Sequence, residues 1–480
     1  MLFTSIPFIF YFLPIVVMLY YVFQFSRLAQ NILLFIASLF FYAWGDVKFL
    51  MLMLVSIVMN TVLGIMVDAF REKEKLAKAF VVVACTLNLG ILFVFKYLNF
   101  VVRNVNDLLG SDVIVINQIM LPLGISFFTF QALSYVVDVY RGDAKVEKNP
   151  FYVGLYIAFF PQLIAGPIIR YNTIAEQIRE RKSSFLKFSL GCTRFTTGFC
   201  KKIILANSFA ILADNIFNLS KAGMTLYEVP VLMAWIGAIA YTLQIFFDFS
   251  AYSDMAIGLG LMFGFEFEEN FNYPYISKSI GEFWRRWHIS LSVWFKEYVY
   301  FPLGGSKVRN KDKMVRNTFI VWLLTGIWHG AEWTFVLWGL CNFVFIILER
   351  LLRFEESKIP NFIKHIYTMF IVIIGWVLFR AENLFFARDY ILNMFGANGN
   401  CLVNDTAIMF IKEYIVFFIA AIILCTPIAK RFNKLCVEGR MNKVNKVAVV
   451  VYPVALMILF FVSVSYLVIG SYNPFIYFNF

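Results

Sequence analysis

The chain has 480 residues, of which 61% are hydrophobic and only 15% are charged. Soluble domains average about 45–50% apolar and about 25% charged residues, so this composition excludes a water-soluble globular protein. The formal net charge is +12, but the basic residues lie in short stretches between apolar segments. Nucleic-acid binding would need them on one water-facing module, whereas this distribution is typical of charges that orient a protein in a membrane.

The seven cysteines form no C-x-x-C pair and mostly lie in apolar segments. They are predicted to be small core residues, neither a disulfide framework nor a zinc site.

A helix needs about 20 apolar residues to cross the hydrocarbon of a bilayer. Segments 150–169 and 251–265 are apolar but short or interrupted by Gly and Pro, so we expect them to be re-entrant or broken. The first segment has no basic start or cleavage site and is predicted to be a membrane helix. One polytopic all-α domain is predicted over 1–480, with candidate spans at 5–23, 29–45, 48–67, 79–102, 119–139, 203–217, 230–250, 316–331, 333–349, 362–380, 407–428 and 447–470.

Lys and Arg in short loops predict the orientation of these spans. With the N-terminus outside, the inside loops hold most basic residues, including Lys201, Lys202 and nine in the segment 278–316. Both termini are therefore predicted to lie outside, provided that 150–169 and 251–265 do not fully cross.

The first polar cluster at predicted membrane depth holds two carboxylates and three hydroxyls, on Asp248, Ser250, Tyr252, Ser253 and Asp254. Such groups are costly in lipid and must face protein, water or substrate. No histidine or cysteine lies nearby in the sequence, so the spacing predicts no metal site. We expect these side chains to line a polar tunnel or to bond the basic segment that follows.

That basic segment is Phe283-Trp-Arg-Arg-Trp-His-Ile-Ser290. As a single helix from about residue 280, it places its aromatic residues on one stripe and its basic residues on a neighbouring face, with His288 at the boundary. A basic, Trp-rich amphipathic helix lies along the cytoplasmic interface. Two interpretations stay open: a plain anchor, or the lining of an entrance where Arg285 or Arg286 attracts a phosphorylated substrate.

His329 lies in Leu324-Thr-Gly-Ile-Trp-His-Gly-Ala-Glu-Trp333, a polar island in an apolar region. The chain reaches this island from Arg316 and returns to Glu349, which predicts a helical hairpin. Flanking glycines permit close approach, and Glu332 is placed to orient an imidazole. One interpretation is a histidine satisfied by a carbonyl; the other is a general base, because the pKa of histidine is near neutral.

Together these motifs resemble the membrane-bound O-acyltransferase (MBOAT) superfamily, and within it the bacterial alginate O-acetyltransferase branch. Phe283-Trp-Arg-Arg-Trp-His is highly specific, and one departure is Ala251, where relatives usually carry glycine. The core signature region is roughly 120–350. The matching motifs are 121–131 with 135–141, 159–167, 248–258, 270–274, 283–290, 302–305 and 326–330.

The resemblance implies a horseshoe of about 11–12 transmembrane helices, with re-entrant and interfacial helices, around a central funnel open to the cytoplasm. It implies that His329 is catalytic and that His288 is a second important residue. Acetyl-CoA is the expected donor, with no permanently bound cofactor or metal and with the bacterial plasma membrane as the location. The expected partner is an extracytoplasmic acetyltransferase of the serine-hydrolase-like (SGNH) kind that modifies a polysaccharide.

The reaction needs an acceptor hydroxyl to lose its proton as it attacks a thioester. Because a thiol is a good leaving group, no metal is required, and a base aimed at that proton contributes about 10²–10⁴-fold. We expect His329 to take the proton and His288 to position substrate or aid proton transfer. The predicted substrate contacts are Asp248, Ser250, Ser253, Asp254, Asn270, Trp284, Arg285, Arg286, Trp328 and Glu332.

Three other functions stay open at this point. The first is D-alanyl transfer to teichoic acid by a relative that shares the histidine pair, with a carrier-protein thioester as donor. The second is a polymer or lipid transporter, which predicts inverted repeats that the sequence lacks. The third is a scaffold that only recruits the extracytoplasmic transferase. The acceptor polymer is also left open.

Overall fold

A computed structural model describes residues 1–219, 228–305, 311–428, 430–431, 442–470 and 472, and for 442–450 the backbone alone. Every regular element of these residues is helical, which confirms the predicted all-α class. The predicted outside position of the C-terminal segment 475–480 concerns residues beyond those described, as do Cys436 and the basic residues Lys307 and Arg309. The six described cysteines are free.

The helices are numbered here in chain order. They are α1 Phe8–Phe25, α2 Arg27–Ala43, α3 Val47–Ala69, α4 Glu74–Leu109, α5 Ile125–Arg141, α6 Pro150–Ala158, α7 Phe160–Leu163, α8 Tyr171–Glu180, α9 Phe185–Phe217, α10 Val231–Met262, α11 Ile280–Arg286, α12 Ile289–Phe295, α13 Lys311–His329, α14 Trp333–Leu351, α15 Asn361–Arg380, α16 Leu384–Met394, α17 Asp405–Leu424 and α18 Asn442–Val468. The chain also contains single turns of 3₁₀ helix at Pro274–Ile276 and Phe354–Glu356, and a π-helical turn at Lys296–Tyr300.

Nine helices in the described parts of the chain are long and apolar enough to cross a membrane. They are α1, α3, α4, α9, α10, α14, α15, α17 and the portion Val451–Val468 of α18. Three predicted spans fall outside this set. Of these, α2 is apolar but has only 17 residues, and α5 begins at Ile125, after Gly124 in the left-handed region. The third, α13, carries several charges in its first turns.

The chain forms two compact units. The first contains Met1–Phe195, Ser253–Glu269 and Val293–Val299, and the second contains the described parts of Thr196–Tyr252, Asn270–Ser292 and Tyr300–Phe480.

In the first unit, the predicted interruption of 150–169 is confirmed. Helix α6 ends at Ala158, and Phe159 adopts φ −55° and ψ 110° before the short α7 begins with a proline in its first turn. The predicted break of 251–265 is wrong, because α10 continues to Met262. Its glycines serve close packing instead: a Cβ on Gly258 would lie 2.6 Å from the backbone nitrogen of Phe195.

A second correction concerns Lys201 and Lys202, which were assigned to an inside loop. They lie within the continuous helix α9, in a π-helical turn over Lys201–Ala206. The predicted orientation therefore loses two of its supporting charges and stays a prediction.

In the second unit, the predicted hairpin around His329 is confirmed by α13 and α14, which are joined by residues 330–332. The two helices touch through glycines. A Cβ on Gly326 would lie 2.6 Å from the carbonyl oxygen of Phe335, and one on Gly339 would lie 2.6 Å from that of Trp322. These contacts require the absence of a side chain, so the glycines fix the hairpin that carries His329 at its tip.

Candidate active site

His288 lies between two short helices, not within one. The predicted single helix from about residue 280 is wrong, since α11 ends at Arg286 and α12 begins at Ile289. His288 has φ +43°, in the left-handed region that residues with a side chain rarely adopt. Such a conformation costs on the order of 1–3 kcal/mol and persists only where the surroundings hold it.

The segment 270–272 holds this turn. The amide of Asn272 donates to the carbonyl of Arg286 at 2.9 Å, and the amide of Ile289 donates to the carbonyl of Asn270 at 3.0 Å. The two backbone bonds bracket His288, so the segment 270–272 replaces helical bonds that the break removes.

The start of α11 is fixed by one carboxylate and one serine. Glu349 accepts hydrogen bonds from the amides of Ile280 and Gly281, at 2.7 and 3.0 Å. The hydroxyl of Ser279 caps the helix by accepting from the amide of Glu282 at 2.8 Å. Negative charge at a helix N-terminus is stabilising, because the first amides there have no helical partner. This anchoring sets the direction in which α11 leads to His288.

The imidazole of His288 is 1% exposed. Its Nδ1 lies 3.1 Å from Oδ1 of Asn270, and the edge of the ring meets the ring of Phe249, with centroids 4.6 Å apart. Burial lowers the pKa of His288 to about 3. The ring is therefore neutral at physiological pH and can accept a hydrogen bond through a nitrogen that carries no proton.

His329 ends α13 inside a cage of aromatic rings and is 6% exposed. Its ring meets Trp338 at 5.0 Å and Phe379 at 5.1 Å between centroids, both edge-on. Trp328 connects the two histidines, with its centroid 6.3 Å from that of His288 and 4.9 Å from that of His329. The structure thus brings both predicted catalytic residues and Trp328 into one buried cluster of the second unit.

Trp284 extends this cluster. Its indole N–H donates to Oδ1 of Asn342 at 2.8 Å, and its ring lies 5.5 Å from that of Trp338, which also contacts His329. Sequence analysis missed Trp338, Phe379 and Phe249, because a buried aromatic residue in an apolar helix carries no signal of its own.

Asp248 is 1% exposed and forms an ion pair with Lys202, which is 3% exposed, at 2.8 Å. The structure thus shows Lys202 as a partner of Asp248, and its predicted place in a tunnel wall or bond to the basic segment stays a prediction. Sequence analysis missed Lys202 by counting it as a loop charge, although a lysine in an apolar run was the available signal. The neighbouring Ser250 is also buried, and its hydroxyl has no hydrogen-bond partner among the described residues.

Asp254 and Ser253 belong to the first unit. Asp254 pairs with Arg194 at 3.0 Å, and Arg194 also contacts Glu269. Arg194, on α9, is thus a partner of Asp254, and the predicted bond of Asp254 to the basic segment also stays a prediction. Ser253 is buried.

Arg285 and Arg286 line a polar cavity of about 500 Å³ in the second unit. Arg285 pairs with Glu355 at 2.7 Å, and Arg286 pairs with Glu282 at 2.9 Å. Burial alone would raise the pKa of Glu355, but hydrogen bonds from Ser279 and Arg285 lower it below its usual 4.5. The charged residues of the wall are the bases Lys278, Arg285, Arg286 and Lys364 and the acids Glu282 and Glu355.

Glu332 is half-buried at the N-terminus of α14, next to the turn that follows His329. In the described parts of the chain, no group of three or more His, Cys, Asp or Glu side chains could hold a metal ion.

Two buried histidine side chains in one aromatic cluster of a helical membrane protein are what a membrane-embedded transferase needs. The model of MBOAT, the membrane-bound O-acyltransferase family, matches residues 36–387. The chain therefore belongs to this family and is an O-acyltransferase and a multi-pass membrane protein.

Individual relatives differ in the polymer that their names specify. The chain is 44% identical over 388 residues to "Probable alginate O-acetylase AlgI" of Pseudomonas aeruginosa, covering 80% of this chain and 73% of the relative. It is 35% identical over 439 residues to the peptidoglycan O-acetyltransferase of Helicobacter pylori, covering 84% and 81%. The teichoic acid D-alanyltransferase of Bacillus subtilis matches at 34% over 232 residues, covering 46% and 57%.

Proposed function

We propose that this protein moves acetyl groups from cytoplasmic acetyl-CoA across the bacterial plasma membrane for O-acetylation of a polysaccharide outside. Similarity to O-acetyl-transferring relatives extends over most of the chain, whereas similarity to the D-alanyl-transferring relative covers less than half of it. This difference favours acetyl over D-alanyl as the transferred group. An alginate-like polymer is the preferred acceptor, because the more similar of the two acetyl-transferring relatives is named for it.

The observation that carries this proposal is the buried cluster in which Trp328 contacts the rings of both His288 and His329. In the proposed reaction, His329 accepts the proton of an acceptor hydroxyl as the oxygen attacks the thioester carbonyl. A new C–O bond forms, the C–S bond breaks, and the sulfur takes the proton back to give free CoA thiol. No oxidant, reductant or metal is needed to balance the step.

The aromatic cage around His329 supports the same chemistry. A site without water strengthens electrostatic interactions and protects a reactive thioester from hydrolysis. Trp338 and Phe379 both meet the imidazole in T-shaped contacts. These rings keep water from competing with the acceptor hydroxyl.

The polar cavity beside α11 is the proposed site for the phosphates of CoA. Its four basic side chains exceed its two carboxylates, so a bound phosphate meets excess positive charge. Arg285 and Arg286 are each held by a carboxylate, which orients their guanidinium groups before a ligand arrives. Guanidinium groups suit this task because their planar fork matches phosphate oxygens.

The proposed transfer from the cytoplasm to the outside also defines the orientation of the protein and its partner. The donor cavity faces the cytoplasm, the N-terminus lies outside, and an extracytoplasmic SGNH-hydrolase-like transferase delivers the acetyl group to the polymer. Helices arranged around a funnel would let acetyl-CoA reach both histidines from one side of the membrane.

The decisive experiment compares His329→Ala with His365→Ala in a deletion strain of the native host. The third histidine contacts the carbonyl of Ser277 through Nδ1 at 3.0 Å and lies outside the aromatic cluster, so it controls for loss of a histidine as such. At equal protein level, His329→Ala should reduce the acetate content of the polysaccharide by about 10²–10⁴-fold. His365→Ala should retain most of it. Unchanged acetate with His329→Ala would overturn the assignment of the base.

The donor is tested in membranes that carry the protein. With the partner transferase and the polysaccharide added, labelled acetyl-CoA should yield labelled polysaccharide and free CoA thiol in equal amounts. Transfer from a D-alanyl carrier protein, with none from acetyl-CoA, would instead establish the D-alanyl alternative.

A further inference from the structure

Asn270 makes an unusual set of contacts beside His288. Its side-chain oxygen Oδ1 lies 3.2 Å from the backbone nitrogen of Ser290, 2.9 Å from the hydroxyl of the same serine, and 3.1 Å from Nδ1 of His288. All of these groups are buried. One amide oxygen thus gathers three polar neighbours around the strained turn.

These contacts determine which ring nitrogen of His288 carries the proton. A backbone N–H can only donate, so the atom of Asn270 that faces Ser290 must be the acceptor oxygen and not the amide nitrogen. The same oxygen faces Nδ1 of His288, and two acceptors cannot bond each other. Nδ1 must therefore carry the proton, and in a neutral ring the other nitrogen, Nε2, keeps its lone pair.

Nε2 of His288 is buried and has no hydrogen-bond partner among the described residues. A buried polar atom without a hydrogen-bond partner costs about 1–3 kcal/mol, which a role of Nε2 in binding substrate would explain. The rings of Phe249 and Trp328 flank the imidazole. Burial alone accounts for the lowered pKa of His288, and no charged side chain of the described residues contributes to it.

We propose that Asn270 is a positioning residue that locks His288 in the Nδ1–H tautomer, so that Nε2 is presented as an acceptor to an N–H or O–H group of the substrate. This inference rests on the proposed acetyl transfer and deepens it. A thioester and its acetyl group have no hydrogen to donate. The group that His288 recognises is therefore either the hydroxyl of the acceptor or an amide N–H of the donor's pantetheine arm.

The tautomer can be observed directly by ¹⁵N-histidine NMR of the purified protein in detergent. The chain has only three histidines, so His329→Ala and His365→Ala assign the remaining signals. We expect a neutral His288 with its proton on Nδ1, and loss of that signature in Asn270→Ala. A parent protein whose His288 is protonated on Nε2 would overturn the proposal, whatever the activity of any variant.

Two variants of Asn270 separate positioning from mere folding. Asn270→Asp keeps the acceptor oxygen but adds a negative charge, which favours the imidazolium and raises the pKa of His288. Because protonated Nε2 can no longer accept, this variant should work at high pH and lose activity as the pH falls, with its acid limb above that of the parent. Asn270→Ala should lose about 10–100-fold at every pH, as with removal of groups that orient metal-bound histidines.

The matched control is Asn88→Ala. Asn88 is buried and exchanges side-chain hydrogen bonds with Asn60 at 2.8 and 3.1 Å. Its replacement therefore measures the cost of deleting a buried asparagine that does not contact a histidine. Full activity of Asn270→Ala, or an Asn270→Asp variant as inactive as Asn270→Ala at all pH values, would refute the positioning role. If the proposed function is wrong, the parent itself will show no transfer from acetyl-CoA, which is a distinct result.

The kinetic parameters identify the substrate group. A raised KM for acetyl-CoA at constant kcat in Asn270→Ala would assign the contact to the pantetheine amide. A lowered kcat at constant KM would assign it to the acceptor hydroxyl.

Discussion

The ion pair between Lys202 and Asp248 allows a sharp test of what a buried charge does in this protein. The two side chains are 3% and 1% exposed and lie 2.8 Å apart. Neutralising one partner, as in Lys202→Met or Asp248→Leu, leaves an uncompensated charge in a medium that solvates it poorly. Loss of one partner of a buried pair costs about 3–5 kcal/mol, so both single variants should be severely destabilised.

The double variant Lys202→Met/Asp248→Leu should behave differently. It removes both charges and keeps similar volumes, and such replacements are often neutral or stabilising by about 1–4 kcal/mol. The stability of the double variant should therefore approach or exceed that of the parent. The difference between it and the sum of the single variants measures the coupling between the two side chains.

The measurement is the apparent melting temperature in detergent, followed by fluorescence of the ten tryptophans. Asp68→Asn is the matched control, since Asp68 pairs with Arg71 at 3.4 Å on an exposed helix end and should contribute no more than about 1 kcal/mol. Single variants as stable as the parent, or a double variant no more stable than the singles, would refute the reasoning. A stable double variant that transfers no acetyl groups would show that the pair also serves substrate, as predicted for Asp248.

Three further outcomes are expected. Gly339→Ala should destabilise the hairpin by about 1–3 kcal/mol, because the new Cβ would lie 2.6 Å from the carbonyl oxygen of Trp322. The control Gly90→Ala, where no heavy atom lies within 4 Å of the new Cβ, should stabilise α4 by up to about 1 kcal/mol. The melting temperatures of both variants test this prediction. Arg285→Ala should raise KM for acetyl-CoA about 10-fold, since hydrogen bonds to charged ligands contribute about 1.5–3 kcal/mol. It should cost little stability, because the ion pair of Arg285 with Glu355 is half-exposed. Because the pKa of Glu355 is lowered in the folded protein, its ionised form stabilises the fold above the usual pKa of 4.5, and this stabilisation is lost as the pH falls below that value. Between pH 6 and pH 3, the melting temperature of Glu355→Gln should therefore fall less steeply than that of the parent.

The hairpin of α13 and α14 could be predicted from sequence because its information is local. Apolar runs on either side of His329 have the length of helices, and Gly326 marks the point where the helices approach each other. The break at His288 could not be predicted in this way. The aromatic residues have helical spacing in the sequence, but Asn270, earlier in the chain, supplies bonds that compensate for an interrupted helix. Periodicity does not report on such distant partners.

Charge and glycine misled the prediction at α9 and α10 for a related reason. A lysine in an apolar segment indicates a loop when its partner is unknown, but Lys202 remains in the helix because Asp248 neutralises it. Glycine likewise indicates a helix end, although Gly258 permits contact with the backbone of Phe195. For Gly258 a tertiary contact outweighs a local helix propensity of about 1 kcal/mol, and for Lys202 an ion pair compensates for burial of a charge.

The contrast between the two histidines gives the proposed mechanism its physical logic. A proton acceptor in a membrane must stay uncharged until it acts, because an isolated cation there is costly. Burial keeps His288 neutral, and Asn270 leaves its free lone pair on the nitrogen that the described protein does not use. His329, in contrast, ends α13, where the helix dipole favours a positive charge. His329 is thus the imidazole better able to carry a transient positive charge, which is why the proton of the acceptor is assigned to it and recognition to His288.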